Sequence, residues 1–269
     1  MSMLVNNLIL FDVDGTLTEA RKPIQKSMLK ALRELSRYAE IGFLTGSGLE
    51  YIKEQLWPAL ADPIIRQNCH LLPCNGTEYV VPFGEEEIVF STLAKEYMID
   101  KIGTINFNKL MKKICILQGL LVKDIADIPL TGNFVDNRGS TINWCPIGRN
   151  ATQPDRETFK ALDKLYNIRK TYIEILKEFA AAEELGINIK LGGNTSFDIF
   201  PEGWDKTFAL THFDINEWNF WFVGDRCGVD GNDYEIFSAL KETGRSFEVG
   251  SPEETIEVID FHILREVGA

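Results

Sequence analysis

The chain has 269 residues, 45% hydrophobic and 25% charged, an ordinary globular composition that suits one large domain or two modest ones. A formal net charge of −12 disfavours nucleic acid and anionic membranes as partners. It also repels a phosphorylated substrate at long range, so such a substrate would need a local cluster of Lys, Arg or metal ion. The apolar run Leu8-Ile9-Leu10-Phe11 is too short for a signal peptide or a membrane span. The five cysteines, Cys69, Cys74, Cys115, Cys145 and Cys227, are odd in number and irregularly spaced. That argues against a disulfide framework and for a reduced, cytoplasmic protein. Cys69-His70 with Cys74 is poorly spaced for zinc.

In chain order, residues 4–11 read as a buried strand, an apolar run ending in turn-forming Asp and Gly. Residues 24–38 read as an amphipathic helix with Met28, Leu29, Leu32 and Leu35 on one stripe. Ile41 to Leu44 is a second short strand, and Thr45-Gly46-Ser47-Gly48 opens a helix through Leu56. This alternation predicts a doubly wound parallel sheet. Asn75-Gly76 and Pro82 interrupt it. From about 83 to 200 the pattern is less regular: a helix near 105–118, strands at 132–136 and 140–145, and a helix over 155–180. The rhythm resumes with a helix at 206–212, a strand at 219–223 and a helix at 232–241. The expected organisation is an α/β core, discontinuous over 1–82 and 201–269, with an α+β cap domain inserted over 83–200.

The chemistry-bearing residues fall at strand ends. Phe11-Asp12-Val13-Asp14-Gly15-Thr16-Leu17-Thr18 places two acids two residues apart, a costly pairing unless a cation neutralises it. Thr45 and Ser47 end the second strand, where hydroxyls and free helix N–H groups can bind phosphate. Lys206 stands where the α/β rhythm returns. Gly224-Asp225 ends a later strand, and Gly231-Asn232-Asp233 follows in one loop. A further acid there supplies the hard oxygen donors that Mg²⁺ takes. Arg138, Arg149 and Arg156 fall within nineteen residues of the insert, and a cluster of them would grip a phosphate through paired hydrogen bonds. Singly, each residue has a plainer reading as a helix cap, a turn acid or a solvated surface charge.

Together, Asp-x-Asp-Gly-Thr, Thr/Ser, Lys and Gly-Asp with Asn-Asp resemble the four ordered motifs of the haloacid dehalogenase (HAD) superfamily. Longer strings sharpen the resemblance: Phe-Asp-Val-Asp-Gly-Thr-Leu-Thr, Pro-Ile-Gly-Arg, Ser-Phe-Asp-x-Phe-Pro-x-Gly-Trp-Asp-Lys and Gly-Asn-Asp-x-Glu-Ile-Phe. In this order they resemble the eukaryotic-type phosphomannomutases nearly end to end. The resemblance implies a HAD-like doubly wound core with an inserted α+β cap, and a homodimer joined through the caps. It implies interconversion of mannose 6-phosphate and mannose 1-phosphate, feeding GDP-mannose synthesis and primed by a hexose 1,6-bisphosphate.

Under that resemblance Asp12 is the nucleophile, Asp14 the proton donor and acceptor, and Lys206 a positive charge beside nucleophile and phosphate. Mg²⁺ is held by Asp12, the Asp14 carbonyl and Asp225, with Asn232 and Asp233 orienting its waters. Arg21, Arg138, Arg149, Arg156, Ser196 and Asp198 bind substrate, and Thr45 and Ser47 bind phosphate. Hinges near 82–86 and 198–203 let the cap open while the bisphosphate turns, then exclude water. A hexose-phosphate phosphatase is the alternative. A sugar-phosphate-binding protein without turnover is opposed by the intact Asp12, Asp14, Lys206 and Asp225. The family's second cation site follows the Glu-Ile-Phe string; here Phe237 is present, but Ala239 and Glu242 follow and its Asp ligand is missing. His70, His212 and His262 match no motif and read as structural.

Overall fold

A computed structural model describes residues 6–20, 22–229 and 231–268. The chain divides into two compact units, Met1–Lys95 with Gly203–Ala269, and Glu96–Glu202.

The first unit holds seven strands: β1 (Asn6–Phe11), β2 (Glu40–Leu44), β3 (Cys69–Leu72), β4 (Glu78–Phe83) and β5 (Val89–Lys95), then β10 (Trp218–Gly224) and β11 (Ser246–Glu248). Their order in the sheet is β11-β10-β1-β2-β3-β4-β5. From β11 to β3 neighbours run parallel, as the strand–helix rhythm predicts. β4 and β5 depart from it and run antiparallel at one edge. The cause is local: Asn75 and Gly76 take left-handed φ of 62° and 83°, and so tight a reversal permits only antiparallel pairing. The hairpin carries this unit to Lys95, past the limit of 82 set from the sequence.

β1 shows why the sheet is covered on both sides. Ile9 and Phe11 pack with Leu32, Leu35, Ile52, Leu56 and Ile263, while Leu8 and Leu10 pack with Leu44, Ala209, Phe222 and Ile236. A strand buried on both faces reads as a continuous apolar run rather than an alternating one. Helix Lys26–Leu35 supplies Met28, Ala31, Leu32 and Leu35 to the first layer, the spacing of one helical stripe. The helix expected at 206–212 is a 3-10 turn, with Asp205 accepting from Thr207 N at 2.9 Å. His70 lies between Glu40 (2.5 Å) and Tyr79 (2.8 Å), and His212 bonds the Gly76 carbonyl (2.6 Å), so both serve packing.

The second unit is a four-stranded antiparallel sheet of β6 (Val135–Asn137), β7 (Ile142–Trp144), β8 (Ile187–Gly192) and β9 (Ser196–Pro201), ordered β6-β7-β9-β8. Ile142, Trp144, Ile187, Ile189, Phe197 and Ile199 pack against Leu110, Ile114, Leu117, Leu176 and Ala180, which come from helices Thr104–Asp124 and Ile168–Ala182. The single helix expected over 155–180 is two, Gln153–Tyr166 and Ile168–Ala182. Asn167 between them takes φ 52°, a left-handed conformation that Asn tolerates better than most residues. The antiparallel pair β8–β9 was not foreseen from the sequence.

Candidate active site

β1 lies between β10 and β2, with Phe11 paired to Val223 and to Phe43. Asp12, the Thr45–Ser47 turn and Asp225 therefore leave the sheet at one edge, where the chain order changes direction. That is where ligands meet open α/β sheets. Asp12 is 4% exposed and Lys206 is fully buried. The Lys206 ammonium donates to Asp12 and to Asp233 Oδ1, the latter at 2.5 Å. Asp233 Oδ2 accepts from Arg226 N at 3.0 Å. Asp12, Asp225 and Asp233 each offer a carboxylate oxygen, all within 4.8 Å of one another. Thr45 Oγ1 accepts from Ser47 N at 3.1 Å, which shapes the turn that opens helix Leu49–Ala61.

Two carboxylates thus share one buried ammonium, and the third, Asp225, has only the more exposed Arg226 guanidinium 3.9 Å away. Burial pushes the Asp12 carboxyl up against the pull of Lys206, and Asp233 and Asp225 add to the rise. Asp225 is pushed up to about 6, first by burial and then by Asp233. Burial alone would lower the Lys206 ammonium, but Asp12 and Asp233 hold it above its ordinary value. The excess negative charge is what a divalent cation removes. Asn232 Oδ1 is buried with no hydrogen-bond partner among the described residues, an acceptor left for an ion or its water. Hard oxygen donors around a surplus of negative charge fit Mg²⁺.

The same charges predict a pH effect. Raised carboxyl pKa values mean that the folded protein binds more protons than the unfolded chain once pH exceeds the ordinary value of 3.8. In the metal-free protein this contribution to stability is complete below that value and is lost as pH rises through about 6 and beyond. Mg²⁺ bound to these acids would replace the lost protons. Its stabilisation in a thermal melt is therefore expected to be larger at about pH 8 than at about pH 5, and a shift independent of pH would contradict the charge assignment.

Asp14 is held apart from the acid trio: its Oδ1 accepts from the Tyr51 hydroxyl at 2.6 Å. Tyr51 comes from helix Leu49–Ala61, and no sequence motif singled it out. Gly15, at φ 88°, turns the chain directly after Asp14, and a Cβ there would strike the Asp225 carboxylate. Only glycine combines that backbone with so close an approach.

Arg138, Arg149, Arg156, Ser196 and Asp198 lie in the second unit. Arg138, its side chain 9% exposed, pairs with Asp136 Oδ2 at 3.0 Å and lies 3.9 Å from Asp198 Oδ1. Arg149 donates to Asn143 Oδ1 at 3.2 Å, and Asn143 donates to Ser196 Oγ and Asp198 Oδ1. Arg156 donates to Thr195 Oγ1 (2.8 Å), Ala151 O (3.1 Å) and Arg149 O (3.3 Å). The arginines therefore form a connected network rather than scattered surface charges. Asn143 and Thr195, which join it, were not singled out by the sequence. Arg21 lies outside the described residues.

The model of the family "Eukaryotic phosphomannomutase" matches residues 28–265. The chain is 37% identical over 257 residues to phosphomannomutase 1 of Dictyostelium discoideum, covering 95% of this chain and 96% of that one. It is 37% identical over 258 residues to the phosphomannomutase of Saccharomyces cerevisiae, covering 94% and 92%. Among solved structures, N-terminally truncated IMP-nucleotidase of Plasmodium falciparum superposes with a TM-score of 0.67 at 13% identity, covering 96% of this chain and 71% of that one. A trehalose-6-phosphate phosphatase related protein gives 0.52 at 14% identity, covering 97% and 99%. At such identities these structures share the fold alone, and that fold is HAD-like. The full-length sequence match goes further: the chain belongs to the eukaryotic phosphomannomutase family.

Proposed function

We propose that this protein is an isomerase that interconverts mannose 6-phosphate and mannose 1-phosphate by way of an aspartyl-phosphate on Asp12. Family membership over nearly the whole chain supports the activity. The observation that carries it to a residue is Asp12 itself, buried at the end of β1, bonded to Lys206 and beside two more acids. In this reading an Asp12 oxygen bonds to phosphorus as the bond from phosphorus to the sugar oxygen breaks. Asp14 gives a proton to the departing oxygen and takes one from the sugar hydroxyl that later reclaims the phosphate. Lys206 offsets charge on Asp12 and the phosphoryl group, while Thr45 and Ser47 bind phosphoryl oxygens. Asp12, the Asp14 carbonyl and Asp225 would hold Mg²⁺, with Asn232 and Asp233 orienting its waters. Once bound, the ion supplies positive charge for the phosphoryl oxygens. The hold of Lys206 and Arg226 N on both Asp233 oxygens supports that orienting role.

A mutase must grip either phosphate of a hexose 1,6-bisphosphate while the sugar turns. The proposed second grip is Arg138, Arg149 and Arg156 with Ser196 and Asp198, and its network of guanidinium groups suits a phosphate; Arg21 is proposed to contact substrate separately, from the core side. A hexose 1,6-bisphosphate would prime Asp12. The reading extends to a cytoplasmic enzyme that supplies GDP-mannose synthesis. No helix among the described residues is long and apolar enough to cross a membrane. It also includes a homodimer joined through the 96–202 unit, where Ile105, Ile116 and Leu120 stand exposed on helix Thr104–Asp124 within about 60° of one another around its axis. Mannose 1-phosphate with a trace of glucose 1,6-bisphosphate is expected to yield mannose 6-phosphate with little free phosphate. Free phosphate without mannose 6-phosphate would replace this reading with a hexose-phosphate phosphatase.

A further inference from the structure

We propose that Asn143 is a positioning residue of the second phosphate site, its carboxamide setting the places of Arg149, Ser196 and Asp198 against a phosphosugar. The inference rests on the mutase reading of that site.

The strand register makes Asn143 central. Asp136, Asn143, Asp198 and Lys190 form one row across the four strands, with Asp136 opposite Asn143, Asn143 opposite Asp198, and Lys190 opposite Asp198. The neighbours of Asn143 along β7, Ile142 and Trp144, point into the apolar core, so alternation turns Asn143 to the polar face. It is nonetheless 2% exposed. A polar side chain so deeply placed must have its hydrogen bonds made, and this one does. Its Nδ2 donates to Asp198 Oδ1 (2.7 Å) and Ser196 Oγ (3.0 Å), with a longer approach to Phe197 O (3.4 Å). Its Oδ1 accepts from Arg149 (3.2 Å).

Those partners fix the orientation of the amide. Turned over, its NH₂ would face the Arg149 donor and its oxygen would face the Asp198 carboxylate. They also explain why a neutral group stands there. A carboxamide holds the guanidinium without adding negative charge, so the cation keeps its attraction for a phosphate. Arg138 is paired closely with a carboxylate, Asp136, at 3.0 Å, whereas Arg149 comes no nearer to that carboxylate than 4.0 Å and donates its close hydrogen bond to the neutral Asn143. A carboxylate at position 143 would oppose Asp198 at 2.7 Å, lose both donors and add negative charge where phosphate is to bind. Ser196 is placed from its other side as well, because its hydroxyl donates to Gly192 O at 2.7 Å.

The test compares Asn143→Asp, nearly the same shape with the wrong chemistry, and Asn143→Ala, which removes the group. Steady-state kinetics with mannose 1-phosphate are read beside calorimetric binding of mannose 6-phosphate and a thermal melt. KM and Kd are expected to rise about 30-fold or more in the Asp variant and about 10-fold in the Ala variant, with kcat within about threefold of wild type. A residue that merely fills space gives the reverse order, because alanine leaves the larger void. That order, or KM and Kd within about twofold of wild type in both variants, would overturn the proposal. Should the wild type make no mannose 6-phosphate, the mutase reading fails, and the order of the binding constants still decides the role of Asn143.

Discussion

Replacing Asp12 by Asn is expected to lower kcat by at least about 10⁴-fold, while the metal-free protein melts no lower than wild type. The chemical half follows from the proposed nucleophile: a carboxamide oxygen does not form a stable acyl phosphate, so no phosphoryl group would be held between the two transfers. The stability half follows from the charge count. Asp12, Asp225 and Asp233 crowd one ammonium, and burial already drives Asp12 toward its neutral form. Asn is nearly isosteric and still accepts the hydrogen bond from Lys206, so the substitution relieves repulsion in the absence of metal. The same change removes a proposed Mg²⁺ ligand, and the thermal shift on adding Mg²⁺ should shrink. Radiolabelled phosphoenzyme and calorimetry read the two halves separately. Wild-type-like turnover would remove Asp12 from the nucleophile's place. A sharp fall in melting temperature would show that its charge supports the fold.

Replacing Lys206 by Met should damage both activity and stability. The ammonium is fully buried and bonds to Asp12 and Asp233. Removing it leaves two buried carboxylates without their cation, a loss of about 3–5 kcal/mol for a broken buried pair. Turnover should fall at least about 10³-fold, because the charge proposed to face the phosphoryl group goes with it. Adding Asp233→Asn to Lys206→Met should recover part of the stability and none of the activity, since it removes an unpaired charge without restoring the cation. Denaturant unfolding of the two single variants and the double variant measures this coupling. Additive losses would mean that the pair contributes little beyond its separate side chains.

Much of the first site was legible along the chain. Asp12, Thr45 and Asp225 each follow directly on an apolar strand, and parallel strands beside one another must release their ends at one edge. The stripe of helix Lys26–Leu35 was equally plain, because helical periodicity is written into neighbouring residues. The arginines of the insert were visible as a cluster in sequence, and Ser196 and Asp198 with them, but the Asn143 carboxamide that bonds Arg149 was not.

The sequence by itself determined the class of chemistry, since motif residues at strand ends depend only on local pattern and chain order. Tertiary structure decided the partnerships. Tyr51 meets Asp14 across 37 positions, Asn143 meets Asp198 across 55, and Lys206 meets Asp12 across 194. Local periodicity carries no record of such distances. They are set by strand order and register, which place Asn143 between Asp136 and Asp198, and by the packing that leaves Asp12, Asp233 and Lys206 together out of water with Asp225 half-buried beside them.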